Sequence, residues 1–85
     1  MADNQNCIRL GAALRMRRKE LGLNQVQTCD LAGVGPVFLY ELEHGKATVQ
    51  LDKVLAVLEV LGMGLELKES RDVLSAPTVT GEETP

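Results

Sequence analysis

The tripeptide Gly33-Val34-Gly35 does more than any other feature to limit what this chain can fold into, because neither a long helix nor a strand is expected to continue through it. It divides the stretch Asn24–Lys46 into two helix-sized segments, each with its own start signal. Asn24 can accept hydrogen bonds from the leading N–H groups of the first, and Pro36 suits the first turn of the second, where its missing N–H costs nothing. Apolar residues fall at Cys29 and Ala32 in the first segment and at Val34, Phe38, Leu39 and Leu42 in the second, and Gly45 supplies a stop. The unit reads as helix, tight turn, helix. Such a pair cannot bury its apolar faces alone, so the flanking segments must cover it and the second helix is left facing outward.

Upstream, Leu10, Leu14, Arg18 and Leu21 recur at helical spacing and predict a first helix over residues 7–21, with an arginine inside the apolar stripe. That arginine either snorkels at the rim of the core or pairs with a carboxylate of the next unit. Downstream, Thr48 is expected to cap a helix carrying Leu51, Val54, Leu55, Leu58 and Leu61, with Val57 and Val60 extending the apolar surface around it toward a second neighbour. Gly62 stops that helix, and Met63 to Lys68 then alternates with period two, as a half-buried strand does, without a second strand to pair with. Residues 1–6 read as a polar, frayed start, and 70–85 as a flexible tail after a domain at 1–69.

The run Leu21-Gly22-Leu23-Asn24-Gln25, then Gly33-Val34, Leu39, Leu42-Glu43 and Gly45-Lys46, resembles the lambda-repressor-like helix-turn-helix domain of the XRE family. The continuation Leu51-Asp52-Lys53-Val54-Leu55, Leu58 and Leu61 to Leu67 resembles the HipB-type antitoxin branch, so the likeness covers roughly residues 8–68. It implies an all-α, compact four- to five-helix helix-turn-helix domain with a short C-terminal β-strand that pairs across a dimer. It also implies a sequence-specific DNA-binding transcriptional repressor, acting as antitoxin and operon autoregulator beside a HipA-like kinase toxin. A phage-type or metabolic repressor without a toxin shares every one of these features. A protein-interaction module that has lost DNA binding is a further alternative.

The free N–H groups and partial positive charge at the head of the first segment, with the Gln25 side chain as a further donor, suit a phosphate, so Asn24 and Gln25 are expected to hold the DNA backbone. Matched residue by residue, the likeness implies that Gly35, Pro36, Val37, Glu41 and Tyr40 occupy the positions that approach base edges, with Lys46 and Arg15 as further DNA contacts. It also implies an internal ion pair between Arg18 and Glu43. Val37 suits a thymine methyl and Glu41 a cytosine amino group, but the reading face has none of the Arg, Lys, Gln or Asn side chains best suited to bidentate base pairing. Much of any specificity is therefore expected from DNA shape and from dimer spacing on a near-palindromic double-stranded operator. Val57, Val60, Leu65 and Leu67 are the residues expected at the homodimer contact.

Charge agrees with a local rather than a general nucleic-acid surface. The 85 residues carry a net −3, yet Arg9, Arg15, Arg17, Arg18 and Lys19 fall within one short window. One histidine and two cysteines assemble neither a catalytic set nor a metal site, so no enzyme, cofactor, metal or small-molecule substrate is expected. Cys29 reads as a small buried hydrophobe and Thr28 as a weaker core residue than an aliphatic. The polar N-terminus and the lack of a long apolar run predict a cytoplasmic protein without membrane contact.

Overall fold

A computed structural model describes residues 4–69, and the proposed tail at 70–85 lies outside them. Four α-helices make up the described chain: α1 Asn4–Glu20, α2 Gln25–Ala32, α3 Pro36–Glu43 and α4 Leu51–Val60. The first helix begins three residues earlier than the apolar spacing predicts and stops one residue sooner. Leu21 consequently falls in the turn beyond it and is left exposed.

Local chemistry explains the boundaries. At the start of α2 the Asn24 side chain accepts from the Gln27 backbone N–H at 2.8 Å, and the Gln27 side chain accepts from the Asn24 N–H at 2.8 Å, a reciprocal capping box. Gly35 is the residue before α3, extended at φ −84°, with Pro36 at the first helical position. The predicted cap at Thr48 is not used: α4 begins later, with Gln50 as its flanking residue and no side-chain cap. At its far end the Arg17 Nε–H donates to the Leu61 carbonyl at 3.0 Å, so a side chain of α1 satisfies a carbonyl that the helix itself cannot.

α1 packs on α3, and α2 on both α3 and α4. The core between them is aliphatic, with Leu14, Leu39, Leu42, Val54, Leu58 and Leu61 all buried. Each such side chain is worth about 1.5–3 kcal/mol of transfer free energy, which is how so short a chain sustains a core without tryptophan. Thr28 is fully buried, and its hydroxyl is satisfied by donating to the Asn24 carbonyl at 3.0 Å, so it acts as an interior tie between the cap and the helix. Cys29 is buried as well. Burial pushes its thiol up, with the charges of Asp30 and Glu43 acting in the same direction against Arg18, which leaves it an inert apolar filler.

One placement differs from the sequence-based expectation in a way that matters for assembly. Val57 has no exposed surface and belongs to the chain's own core, so it cannot meet a partner. Hydrophobic spacing alone could not tell which arc of an apolar helix faces inward. The surplus on α4 lies instead at Leu51 and Leu55, 64% and 45% exposed, while Val60 is half-buried. The strand expected over Met63 to Lys68 does not form within the single chain as described: residues 63–69 follow α4 as neither helix nor strand, with no ladder partner among the described residues, and Leu65 and Leu67 on them are exposed.

Candidate nucleic-acid interface

α2 and α3 form two short helices joined by Gly33-Val34-Gly35, and one buried cluster holds them against α1. The Arg18 guanidinium donates from Nε to Glu43 Oε2 at 2.6 Å and from Nη2 to Glu43 Oε1 at 3.1 Å. Its remaining nitrogen, Nη1, donates to the Leu23 carbonyl at 2.9 Å and so also fixes the turn that leads into α2. Gln25 completes the cluster by donating from Nε2 to Glu43 Oε1 at 3.1 Å. Three helices thus meet on one carboxylate. Burial pushes the Glu43 carboxyl up, but hydrogen bonds from Arg18 and Gln25 and the positive charges of Arg18 and Arg15 outweigh it and hold the group below the usual carboxylate range. The Glu43 hydrogen bond in turn pushes the Arg18 guanidinium up.

The structure brings Arg18 and Glu43 together as a forked, desolvated pair. It places Gln25 differently from a free phosphate donor, because its side-chain amide already serves Glu43. Asn24 is likewise engaged in its capping box. At the head of α2, exposed Asn24 and half-buried Gln25 can still offer backbone and the unused amide hydrogen of Gln25 to an approaching anion. Arg15 is exposed on the side of α1 from which its charge reaches Glu43.

Along α3, Phe38, Leu39, Leu42 and Glu43 turn toward the core, which leaves Pro36, Val37, Tyr40 and Glu41 on the outward face. Val37 is 68% exposed. The Tyr40 ring stacks on His44, centroids 4.0 Å apart, and His44 Nδ1 lies 2.7 Å from the Tyr40 carbonyl oxygen, a donor contact in the Nδ1–H tautomer. Glu41 receives Lys46 Nζ at 3.1 Å. Neither the aromatic stack nor the lysine pair was read from the sequence, although the i, i+4 spacing of Tyr40 and His44 was a signal for the first.

The end of α3 is built tightly. The Gly45 N–H donates to the Leu42 carbonyl at 3.1 Å and the Lys46 N–H to the Glu41 carbonyl at 3.0 Å, which closes the helix in a Schellman turn. That turn needs the positive φ of 83° at Gly45, where an added Cβ would also stand 2.6 Å from Ile8 Cγ1. Gly11, three residues beyond Ile8 on α1, approaches the end of the same helix, and the sequence reading gave it no role. An isolated glycine inside a helical pattern was the available signal.

A compact set of four helices with two short ones crossing at a glycine turn, an outward-facing third helix and a buried ion pair behind it defines a helix-turn-helix domain. Comparison with known proteins agrees. A sequence model of the helix-turn-helix domain family matches residues 9–70, and the chain belongs to this XRE-like helix-turn-helix family. It is 45% identical over 58 residues to the uncharacterized HTH-type transcriptional regulator y4mF of Sinorhizobium fredii (strain NBRC 101917 / NGR234), covering 68% of this chain and 76% of the relative. Among solved structures, one described as "MDT Protein" superposes with a TM-score of 0.69 at 17% identity, covering 75% of this chain and 90% of that one, a likeness of fold alone. No helix among the described residues is long and apolar enough to cross a membrane.

Proposed function

We propose that the protein is a sequence-specific DNA-binding transcriptional repressor that acts as a homodimer, with α3 entering the major groove and the head of α2 resting on the phosphate backbone. The observation that carries this reading is the outward face of α3, whose Pro36, Val37, Tyr40 and Glu41 are held in a fixed pose by the Arg18–Glu43–Gln25 cluster behind it. A regulator's reading helix needs this rigidity, because base contacts specify only when the backbone contacts set the register. The transcriptional-regulator name of the Sinorhizobium relative points the same way.

The test is binding of duplex DNA selected from a random pool, repeated across salt. With about six phosphate contacts, affinity should fall roughly a thousandfold between about 50 and 200 mM salt. Binding that is absent, or insensitive to salt, would favour a protein-interaction module instead, a reading to which the apolar Val37 and Tyr40 surface lends some weight.

Dimerisation rests on the orphan segment at 64–68. Exposed backbone and the two leucines Leu65 and Leu67, the latter 88% exposed, invite a symmetric antiparallel pairing with a second copy. The leucines would then cover apolar surface on the partner, with Leu51, Leu55 and Val60 the available sites on α4. Two copies so joined would hold their α3 helices about 34–36 Å apart, one DNA turn, and select near-palindromic sites. Truncation after Met63 leaves all four helices in place and should give a monomer with greatly weakened operator binding. Sedimentation at micromolar concentration checks it, and a dimer that survives the truncation places the interface elsewhere.

The finer assignment, antitoxin and autoregulator paired with a HipA-like kinase toxin in the cytoplasm, rests on the likeness of residues 51–67 to the HipB-type branch. Sequencing the adjoining reading frames and capturing partners from the native host separate it from a phage-type or metabolic repressor.

A further inference from the structure

We infer that Glu41 reads cytosine as one half of an ion pair, with Lys46 built into the fold to make that reading electrostatically tolerable. The inference deepens the DNA-binding reading and rests on it. A lone carboxylate on a face that approaches DNA meets a strongly negative surface and is repelled by it. Here the carboxylate is not alone: Lys46 Nζ lies 3.1 Å from Glu41 Oε1, and both side chains remain accessible, at 46% and 38%. The pair as a whole brings no net charge to the phosphates.

The geometry that makes the pair is fixed by backbone rather than by chance on the surface. The Lys46 N–H donates to the Glu41 carbonyl at 3.0 Å in the Schellman turn, so the two residues are bound main chain to main chain as well as side chain to side chain. Gly45 between them is pressed against Ile8 of α1, which denies the turn room to relax. A pair held this way surrenders less side-chain freedom on binding than two freely rotating groups would.

The chemistry of the reader then follows. Lys46 occupies Oε1, and Oε2 accepts no hydrogen bond among the described residues. In the major groove cytosine offers a single outward N4–H donor, the group a carboxylate side chain accepts from, whereas guanine and thymine present acceptors that repel it and adenine sets its N7 acceptor beside its N6–H donor. Val37, one helical turn earlier on the same face, can meet a neighbouring thymine methyl. The face reads acceptor beside apolar, which suits adjoining cytosine and thymine.

The experiment is selection of operators from a randomised duplex pool by the full chain, by Glu41→Gln and by Lys46→Met, with melting temperatures measured in parallel. In the parent one position of each half-site should be cytosine. Glu41→Gln, which keeps shape but adds a donor, should move that position to adenine, for which glutamine makes the paired N6 and N7 contact. Lys46→Met should keep the cytosine and lose affinity by about tenfold or more, and the same change made on top of Glu41→Gln should cost little, because no carboxylate is left to neutralise. A motif left unchanged by Glu41→Gln overturns the inference while the DNA-binding reading stands. Equal affinity in Lys46→Met, or an equal loss in the Glu41→Gln background, overturns the part given to the lysine. A parent chain that enriches no motif overturns the DNA-binding reading, and this inference with it.

Discussion

Glu43→Ala should melt at least about 12 °C below the parent, one of the two largest losses expected of any single substitution in the chain. Removing one partner of a buried, hydrogen-bonded ion pair costs on the order of 3–5 kcal/mol, and a domain of this size loses about 4–8 °C per kcal/mol. The cost arises less from the lost attraction than from what remains: a guanidinium in a buried site with two of its donors unpaired, and Gln25 without its acceptor. An apolar replacement of both partners, Arg18→Met with Glu43→Leu, should recover much of the loss, because the burial penalty disappears with the charges. Differential scanning calorimetry decides it. A Glu43→Ala variant melting within a degree or two of the parent would show that the carboxylate does not carry the junction.

The same carboxylate sets an acid limb to stability. Its folded pKa lies below the unfolded value of about 4.3, so its contribution is complete above that value and is lost as pH falls through the lower, folded one. Stability should therefore decline on acidification below about pH 4. Glu43→Gln, already uncharged, should lack that part of the decline.

Periodicity and punctuation made most of this architecture legible in advance. Asn24, Gly33, Pro36 and Gly45 each impose a local backbone demand that a sequence displays directly, and the helix-turn-helix unit lies where those residues put it. What was not legible depends on which arc of a helix turns inward. Val57 and Leu55 are equally apolar, and only the packing of α4 against α2 decides that the first is interior and the second exposed. Thr48 and Gln50 illustrate a second limit, since a good capping residue two positions upstream does not oblige the helix to start there. At the site, residue types suggested that Gln25 faces phosphate and Glu41 faces bases, yet both side chains have protein partners, Glu43 and Lys46, that no local pattern reveals. Those partners are long-range or turn-dependent.

Gly11 shows the same limit with the sign of an effect at stake. In a solvent-facing helix interior, replacing glycine by alanine stabilises by about 0.5–1 kcal/mol, because alanine loses less backbone freedom on folding. Gly11→Ala should do the opposite. Its new Cβ would stand 2.3 Å from the Leu42 carbonyl oxygen and 2.7 Å from that of Glu43, and both are backbone atoms that cannot swing aside as a side-chain tip can. α1 must then retreat from the end of α3, which opens the contact around fully buried Leu14 and pulls Arg18 away from Glu43 on the same pair of elements. Overpacking of this kind costs about 1–3 kcal/mol, and more where it also disrupts a buried pair, so the loss outweighs the helix-propensity gain. A fall in melting temperature of roughly 10–20 °C is expected at about 4–8 °C per kcal/mol. Ala12 and Ala13, exposed on the same helix, provide the control: Ala12→Gly should cost only the ordinary propensity penalty, about 1 kcal/mol or less. If Gly11→Ala melts at or above the parent temperature, α1 does not approach the end of α3 as closely as described, and the rigid seat assigned to α3 loses its basis.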